Sequence, residues 1–152
     1  MSDVKPIPDG FNSLSPYLCV EDARAAIELY QKALGAQVLS VHDMGGKVIN
    51  AQLKIGNSML MLNDEFPDYG ALGPNKVGGA SVTIHIYTED AQALYDRAVA
   101  AGFEPTMPFG KQPWGDLYGG LKDPFGHHWS IATHVEDVSE EELGRRMSEL
   151  GM

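Results

Sequence analysis

Five histidines, a single cysteine and a short aromatic and acidic run around residue 116 are the side chains best suited to chemistry in this 152-residue chain. His85 lies in the alternating run Val82 to Tyr87, and His128 and His134 bound a second such run. Period-two alternation turns His85, His128 and His134 to one side, shared with Tyr17 of an earlier run. The neighbours His127 and His128 then point to opposite faces and cannot chelate one ion. His85 and His128 with Asp116 could form a divalent-metal site, because imidazole and carboxylate suit borderline ions. His85 with Asp116 alone could act as a metal-free acid–base pair. The plainer reading, adopted here, makes these histidines hydrogen-bonded members of a core or cavity. His42, near a turn, receives no function. Cys19 has no cation beside it in sequence to lower its pKa and reads as a small buried hydrophobe. Trp114 stands in a Pro/Gly-flanked stretch, where a large aromatic is placed for ligand contact.

Charge and composition narrow the classes of partner. Twenty-one acidic against 11 basic residues give a formal charge of −10, a field that opposes nucleic acid and anionic membranes alike. No apolar run has the length of a membrane span, and the start, from Met1 to Pro6, lacks a signal peptide's apolar core. A cytoplasmic location is expected. One cysteine excludes an intramolecular disulfide and any thiolate-rich metal site. Acidity concentrates from Val135 to Met152, where six acids face two arginines; this reads as a solvated surface, or more weakly as an attractor of cationic ligands.

The elements that must position these residues follow from an internal repeat. Glu21-Asp22-Ala23 and Glu89-Asp90-Ala91 lie 68 residues apart, and Gly35 and Gly102 lie 67 apart. Asp22 and Asp90 are expected N-caps, and the two glycines expected left-handed C-caps. Between them Ile27, Tyr30 and Leu34, then Leu94, Ala98 and Ala101, form one apolar stripe per helix. Before each cap, Leu14, Leu18 and Val20 oppose Ser15, Tyr17 and Cys19, as Val82, Ile84 and Ile86 oppose Thr83, His85 and Tyr87. Strands are expected over 38–42, 48–54 and 58–62, then 117–122 and 128–134, with turns at Met44 to Gly46, Ile55 to Asn57 and Asp123 to Gly126. The proline-rich segment Glu104 to Trp114 suits no more than an edge strand. Each copy thus reads βαβββ, the modules spanning about 11–65 and 80–134 of one domain (1–134), joined by a linker over 66–79. Residues 135–152 form an acidic helix or tail, with Ser139 and Glu142 spaced as a capping box.

Paired βαβββ modules resemble the vicinal oxygen chelate superfamily, which includes glyoxalase I, extradiol dioxygenases, fosfomycin-resistance transferases and bleomycin-binding proteins. Trp114-Gly115-Asp116, Tyr118-Gly119, Asp123-Pro124-Phe125-Gly126, the run Trp129 to His134 and the run Met61 to Pro67 resemble its PhnB-like branch, also labelled 3-demethylubiquinone methyltransferase-like. The resemblance implies an α+β fold: a curved mixed sheet around a cavity, helices on the outer face, and a short C-terminal helix. It places the metal-ligand positions of the metal-dependent members at Ser15, Met61, Thr83 and Ser130. Two serines, a threonine and a methionine are poor ligands for a borderline divalent ion, so no metal and no cofactor is expected. No S-adenosylmethionine-type glycine loop supports methyl transfer.

What remains is a lined pocket. Its expected wall is Ser15, Tyr17, Cys19, Gln52, Met59, Met61, Thr83, His85, His128 and Ser130, with Trp114, Asp116 and Tyr118 at the mouth. The two methionines serve equally as core filling. The ligand set drawn from this is Tyr17, Gln52, Met61, His85, Trp114, Asp116, Tyr118, His128 and Ser130. The expected function is metal-independent sequestration of a small aromatic or cationic compound, as in the bleomycin-binding members. The alternatives are a lyase, isomerase or dioxygenase using a displaced metal or an acid–base pair, and a structural subunit acting through the acidic helix. Homodimerisation is common in the superfamily and is expected here.

Overall fold

The computed structural model describes residues 3–151; Met1, Ser2 and Met152, at the ends of the expected first and last segments, lie outside the described residues. Element order follows the repeat: β1 (Tyr17–Val20), α1 (Ala23–Leu34), β2 (Gln37–Met44), β3 (Lys47–Ile55) and β4 (Ser58–Asp64), then β5 (Thr83–Tyr87), α3 (Ala91–Ala101), β6 (Glu104–Lys111), β7 (Asp116–Lys122) and β8 (His128–His134). Between the copies, the linker carries a 3-10 turn (Pro67–Tyr69) and the single helical turn α2 (Pro74–Val77). The chain ends in α4 (Glu140–Glu149). The α+β class and the tandem βαβββ modules are therefore present, each module with its own four-stranded mixed sheet. Two compact units result: residues up to Ser81 together with Phe125–His127, and Val82–Pro124 together with the chain from His128 onward. Among the described residues, no helix is long and apolar enough to cross a membrane.

In the first unit the strand order is β1-β4-β3-β2, with β1 and β4 parallel. Asp22 caps α1 by accepting the Ala25 N–H at 3.1 Å, and Gly35 ends it in the left-handed conformation. Ala23, Ala26, Ile27, Tyr30, Ala33 and Leu34 face inward from α1, against Leu18, Val20, Leu53, Leu60 and Leu62 of the sheet. Each large side chain so buried contributes about 1.5–3 kcal/mol. Asp64, at the end of β4, accepts from the Ala23 and Val48 amides at 2.7 Å each, tying helix start to hairpin. Phe125 meets Tyr30 edge-on at 6.4 Å, and His127 Nε2 lies 3.0 Å from the Cys19 carbonyl oxygen. His127 and His128 thus part company more completely than alternation implies, since they belong to different units. Leu14 and Ser15 precede β1, and Leu14 is exposed, so the first strand starts three residues later than the alternation suggests.

The second unit has the order β5-β8-β7-β6, with β5 and β8 parallel. Its edge strand β6 is the proline-rich segment, and its register breaks between Pro105 and Met107 and again before Gly110. Helix α3 covers one face of this sheet. Asp90 caps it through the Ala93 N–H at 3.1 Å, and the residues it buries are Ala91, Tyr95 and Ala98. Tyr95 therefore takes the central place that the spacing gave to Leu94. The reason lies across the interface with β7: Gly119 presents no side chain, and a Cβ there would lie 2.6 Å from the Tyr95 ring. Trp129, Leu121 and Ile131 fill the same core, and Trp129 donates its indole N–H to Asp123 at 2.8 Å.

The other face of this sheet is the one turned away from α3. Register places Thr83, His85 and Tyr87 opposite His128, Ser130 and Ala132, and Asp116, Tyr118, Gly120 and Lys122 opposite His134, Ala132, Ser130 and His128. Period-two alternation then turns all of these to one side.

Candidate functional site

The face of the second sheet opposite α3 gathers most of the reactive side chains. Asp116 is the first residue of β7, opposite the last residue of β8, His134. It is 2% exposed. A buried carboxylate is tolerated only with donors around it, and three converge here: Tyr87 Oη at 2.9 Å and Trp114 Nε1 at 3.1 Å on one oxygen, His134 Nδ1 at 2.7 Å on the other. Burial works against its ionisation, yet the bonds from His134, Tyr87 and Trp114 prevail and hold its carboxyl below the usual carboxylate range. The expectation that Asp116 sits at a pocket mouth is corrected: it is an interior anion, because three donors replace its water.

His134 stands between two carboxylates. Its Nε2 lies 2.8 Å from Asp137 Oδ1, while Nδ1 serves Asp116. The bonds to Asp137 and Asp116 raise its pKa, so the ring is favoured as an imidazolium donating from both nitrogens. Tyr87, whose hydroxyl donates to Asp116, has its phenol pKa pushed up by that bond. His85 behaves oppositely. Its Nδ1 is 2.6 Å from the buried Ser130 hydroxyl, and partial burial lowers its pKa against the opposing pull of Asp116. Its ring stacks on Tyr118 at 5.8 Å and meets the edge of Tyr87 at 4.5 Å, while Trp114 meets Tyr118 edge-on at 5.6 Å.

Five of the expected ligand residues are thus brought together: His85, Trp114, Asp116, Tyr118 and Ser130. His128 is not. It lies opposite Thr83 and Lys122, a further two residues along β8 from Ser130, which the pleat makes about 6–7 Å. In the alternative acid–base pair, Asp116 takes its bonds from His134, Tyr87 and Trp114, while His85 engages Ser130. Tyr17, Met61 and Gln52 form a separate cross-strand row in the first unit. There Asn50 Nδ2 donates to Tyr17 Oη at 3.0 Å and approaches Met61 Sδ at 3.7 Å.

Sequence reasoning left out Tyr87, Asp137 and Asn50, and put His134 on the right face without a role. Tyr87 carried a signal, being two residues beyond His85 on one strand. Asn50 likewise alternates with Gln52. Asp137 lies past the last strand, where periodicity says nothing. Alongside the cluster runs an open groove of about 830 Å³ lined by Tyr87, Thr88, Glu89, Thr133 and His134.

Residues 10–131 match the family described as the Glyoxalase/Bleomycin resistance protein/Dioxygenase superfamily. An uncharacterized protein of Mycobacterium bovis is 41% identical over 143 residues, covering 91% of this chain and 94% of the relative. Among solved structures, TioX from Micromonospora sp. ML1 superposes with a TM-score of 0.66 at 21% identity, over 82% of this chain and 99% of its own. The Bacillus cereus PhnB protein, described as a putative 3-demethylubiquinone-9 3-methyltransferase, gives 0.62 at 17% identity, over 80% and 99%. Likenesses of that identity show the fold. The chain belongs to the glyoxalase/bleomycin resistance/dioxygenase superfamily.

Metal-dependent members of this superfamily hold a divalent ion, and the residues at the positions the resemblance implies do not suit one. Ser15 precedes β1, and Met61 offers a thioether that already receives the Asn50 amide. In the second unit Thr83 and Ser130 offer neutral hydroxyls, the latter engaged by His85. Among the described residues, no group of three His, Cys, Asp or Glu is placed to hold a metal. Both oxygens of Asp116 are committed to protein donors, which leaves the His85, His128 and Asp116 combination without its carboxylate.

Proposed function

We propose that the chain is a metal-independent binding protein for a small aromatic cation, recognised at the Asp116 cluster and the adjoining groove. The observation that carries this reading is a buried, ionised carboxylate ringed by aromatic side chains. Tyr87, Trp114 and Tyr118 offer π-faces and edges, and a cation over such a face gains about 0.5–2 kcal/mol. Local charge points the same way: Asp116, Asp137 and Glu89 outnumber His134, and the Arg146 guanidinium beside Trp114 is itself met by Glu136 and Glu142. A net charge of −10 adds a long-range field of the same sign. The open groove sets the Tyr87 ring beside the Glu89 carboxylate and the His134 imidazole, an aromatic surface next to an acidic one.

The PhnB-like branch is part of this reading, drawn from the Trp114 to His134 motifs and the Bacillus cereus neighbour's fold. It brings no methyl transfer with it. The homodimer expected from the superfamily belongs here too: light scattering giving twice the chain mass supports it, and a single-chain mass removes it.

The test is a fluorescence titration of chelator-treated protein against a panel of quaternary aromatic ammonium compounds. Trp114 is the reporter, being 37% exposed where Trp129 is 1% exposed. Saturable quenching by at least one member, abolished in Asp116→Asn, is the expected result. A panel that leaves the wild-type emission unchanged overturns the reading.

A further inference from the structure

The acidic C-terminal helix has so far no part in the site, and its contacts point at one residue. No side chain of α4 is buried; Glu142, Leu143, Arg146 and Met147 are half-covered and the rest exposed. Ser139 caps the helix through the Glu142 N–H at 3.1 Å. The Glu142 carboxylate, expected to reach back to the cap, instead receives Arg145 and Arg146. Arg146 then extends beyond its own helix. Its Nη1 donates to the Pro113 carbonyl at 3.0 Å, and its Nη1 and Nη2 grip Glu136 at 2.9 and 3.0 Å. Planar two-point gripping of a carboxylate is what a guanidinium does and an ammonium cannot.

Those two partners bracket the loop that carries Trp114. Pro113 is its neighbour in the chain. On the other side, the Val135 and Glu136 amides both donate to the Gly115 carbonyl, at 2.9 and 3.0 Å. Contact is so close that a Cβ on Gly115 would fall 2.0 Å from the Glu136 carbonyl oxygen. A closed circuit results: Arg146 to Pro113, Trp114 to Asp116, Asp116 to His134, and the chain from His134 through Glu136 back to Arg146. The helix without a core of its own is fastened at the point where the indole must be held.

We propose that Arg146 is a positioning residue and α4 a strap: through the Pro113 carbonyl and Glu136, it fixes the Trp114 indole beside Asp116 and thereby sets affinity for the aromatic cation. The consequence for binding rests on the function proposed above; the consequence for Trp114 does not. Removing the guanidinium frees the 113–115 loop on one side while the Gly115 clamp persists, so the fold stands and the indole gains freedom.

The experiment uses the full chain with Arg146→Ala, Arg146→Lys and Trp114→Ala, and reads two quantities. Acrylamide, a neutral quencher indifferent to the altered charge, is titrated against the unliganded protein. Quenching of Trp114 is expected to rise in Arg146→Ala and to be only partly restored by lysine, with far-UV circular dichroism unchanged. Affinity for benzyltrimethylammonium is then measured by calorimetry. Arg146→Ala and Trp114→Ala are each expected to weaken it about three- to tenfold, and the double variant no further than Trp114→Ala alone, since one residue acts through the other. Unaltered quenching in Arg146→Ala, or additive losses in the double variant, overturns the strap. If wild-type protein binds none of the probe while the quenching still rises, the strap stands and the binding function is what fails for that probe.

Discussion

Asp116 concentrates the chemistry of the second unit, and its environment makes specific demands. Replacing it by Asn keeps the shape and removes the charge, but the amide nitrogen must then face a donor already pointing at it. Asp116→Asn is therefore expected to lower stability by about 1–3 kcal/mol in urea denaturation, and to remove cation binding. Stability unchanged within 0.5 kcal/mol, on the order of a surface substitution, would show that the three bonds are not those of an ionised group.

The Asp116–His134 pair also fixes a pH window. Asp116 has a depressed folded-state pKa, so its contribution is complete above its unfolded value near ~3.9 and fades as pH falls through the lower folded value. His134 has a raised one, so its contribution is complete below ~6.5 and fades as pH rises through the higher folded value. The denaturant midpoint of wild type relative to His134→Gln should be most favourable between about pH 4 and 6.5 and shrink on either side. A difference flat from pH 4 to 9 would contradict the pairing.

Alternation made part of this legible: His85, His128 and His134 could be placed on one face from sequence alone, and Trp114, Asp116 and Tyr118 only near the pocket mouth. The partner of Asp116 could not. That His134 and not His85 meets it depends on the β7–β8 register, a non-local quantity that a single sequence does not encode in its period.

At the level of elements, the caps were readable because they are local. Asp22, Asp90 and Ser139 each take the amide three residues on, and Gly35 and Gly102 adopt positive φ. The helix stripe of α3 was readable only to within a residue. Tyr95 displaces Leu94 inward because Gly119 leaves room under it, and that complementarity spans two elements. Gly119→Ala should accordingly push α3 from the sheet and cost about 1–3 kcal/mol, as overpacking does, visible as a lowered denaturation midpoint. A neutral outcome would mean that Tyr95 swings aside freely. Gly115 is stricter, since both its φ of +102 and its contact with the Glu136 carbonyl forbid a side chain. Gly115→Ala should disturb Trp114 more than Arg146→Ala does, read by the same acrylamide quenching.

For the whole molecule, the repeat in the sequence predicted two βαβββ modules, and family membership follows from residues 10–131. Fold and function separate at this scale. The superfamily's fold hosts several chemistries, and here the positions that the resemblance assigns to metal ligands carry hydroxyls and a thioether. Net charge makes a further prediction: cation affinity should fall as salt rises from about 10 mM to 1 M, because the long-range field is screened while the aromatic contact is not. Insensitivity to salt would assign recognition to the aromatic side chains alone.

The most direct measurement is a two-dimensional ¹H–¹⁵N NMR titration in a chelating buffer with the tightest-binding member of the aromatic ammonium panel. The two indole N–H signals form an internal contrast, since Trp114 donates to Asp116 and Trp129 to Asp123 on the helix-covered side of the sheet. Metal-independent binding at the Asp116 cluster predicts a saturable shift of the Trp114 indole, with His134 moving in step and Trp129 still. Shifts that arise only after a divalent metal is supplied, or that leave Trp114 in place, would contradict it.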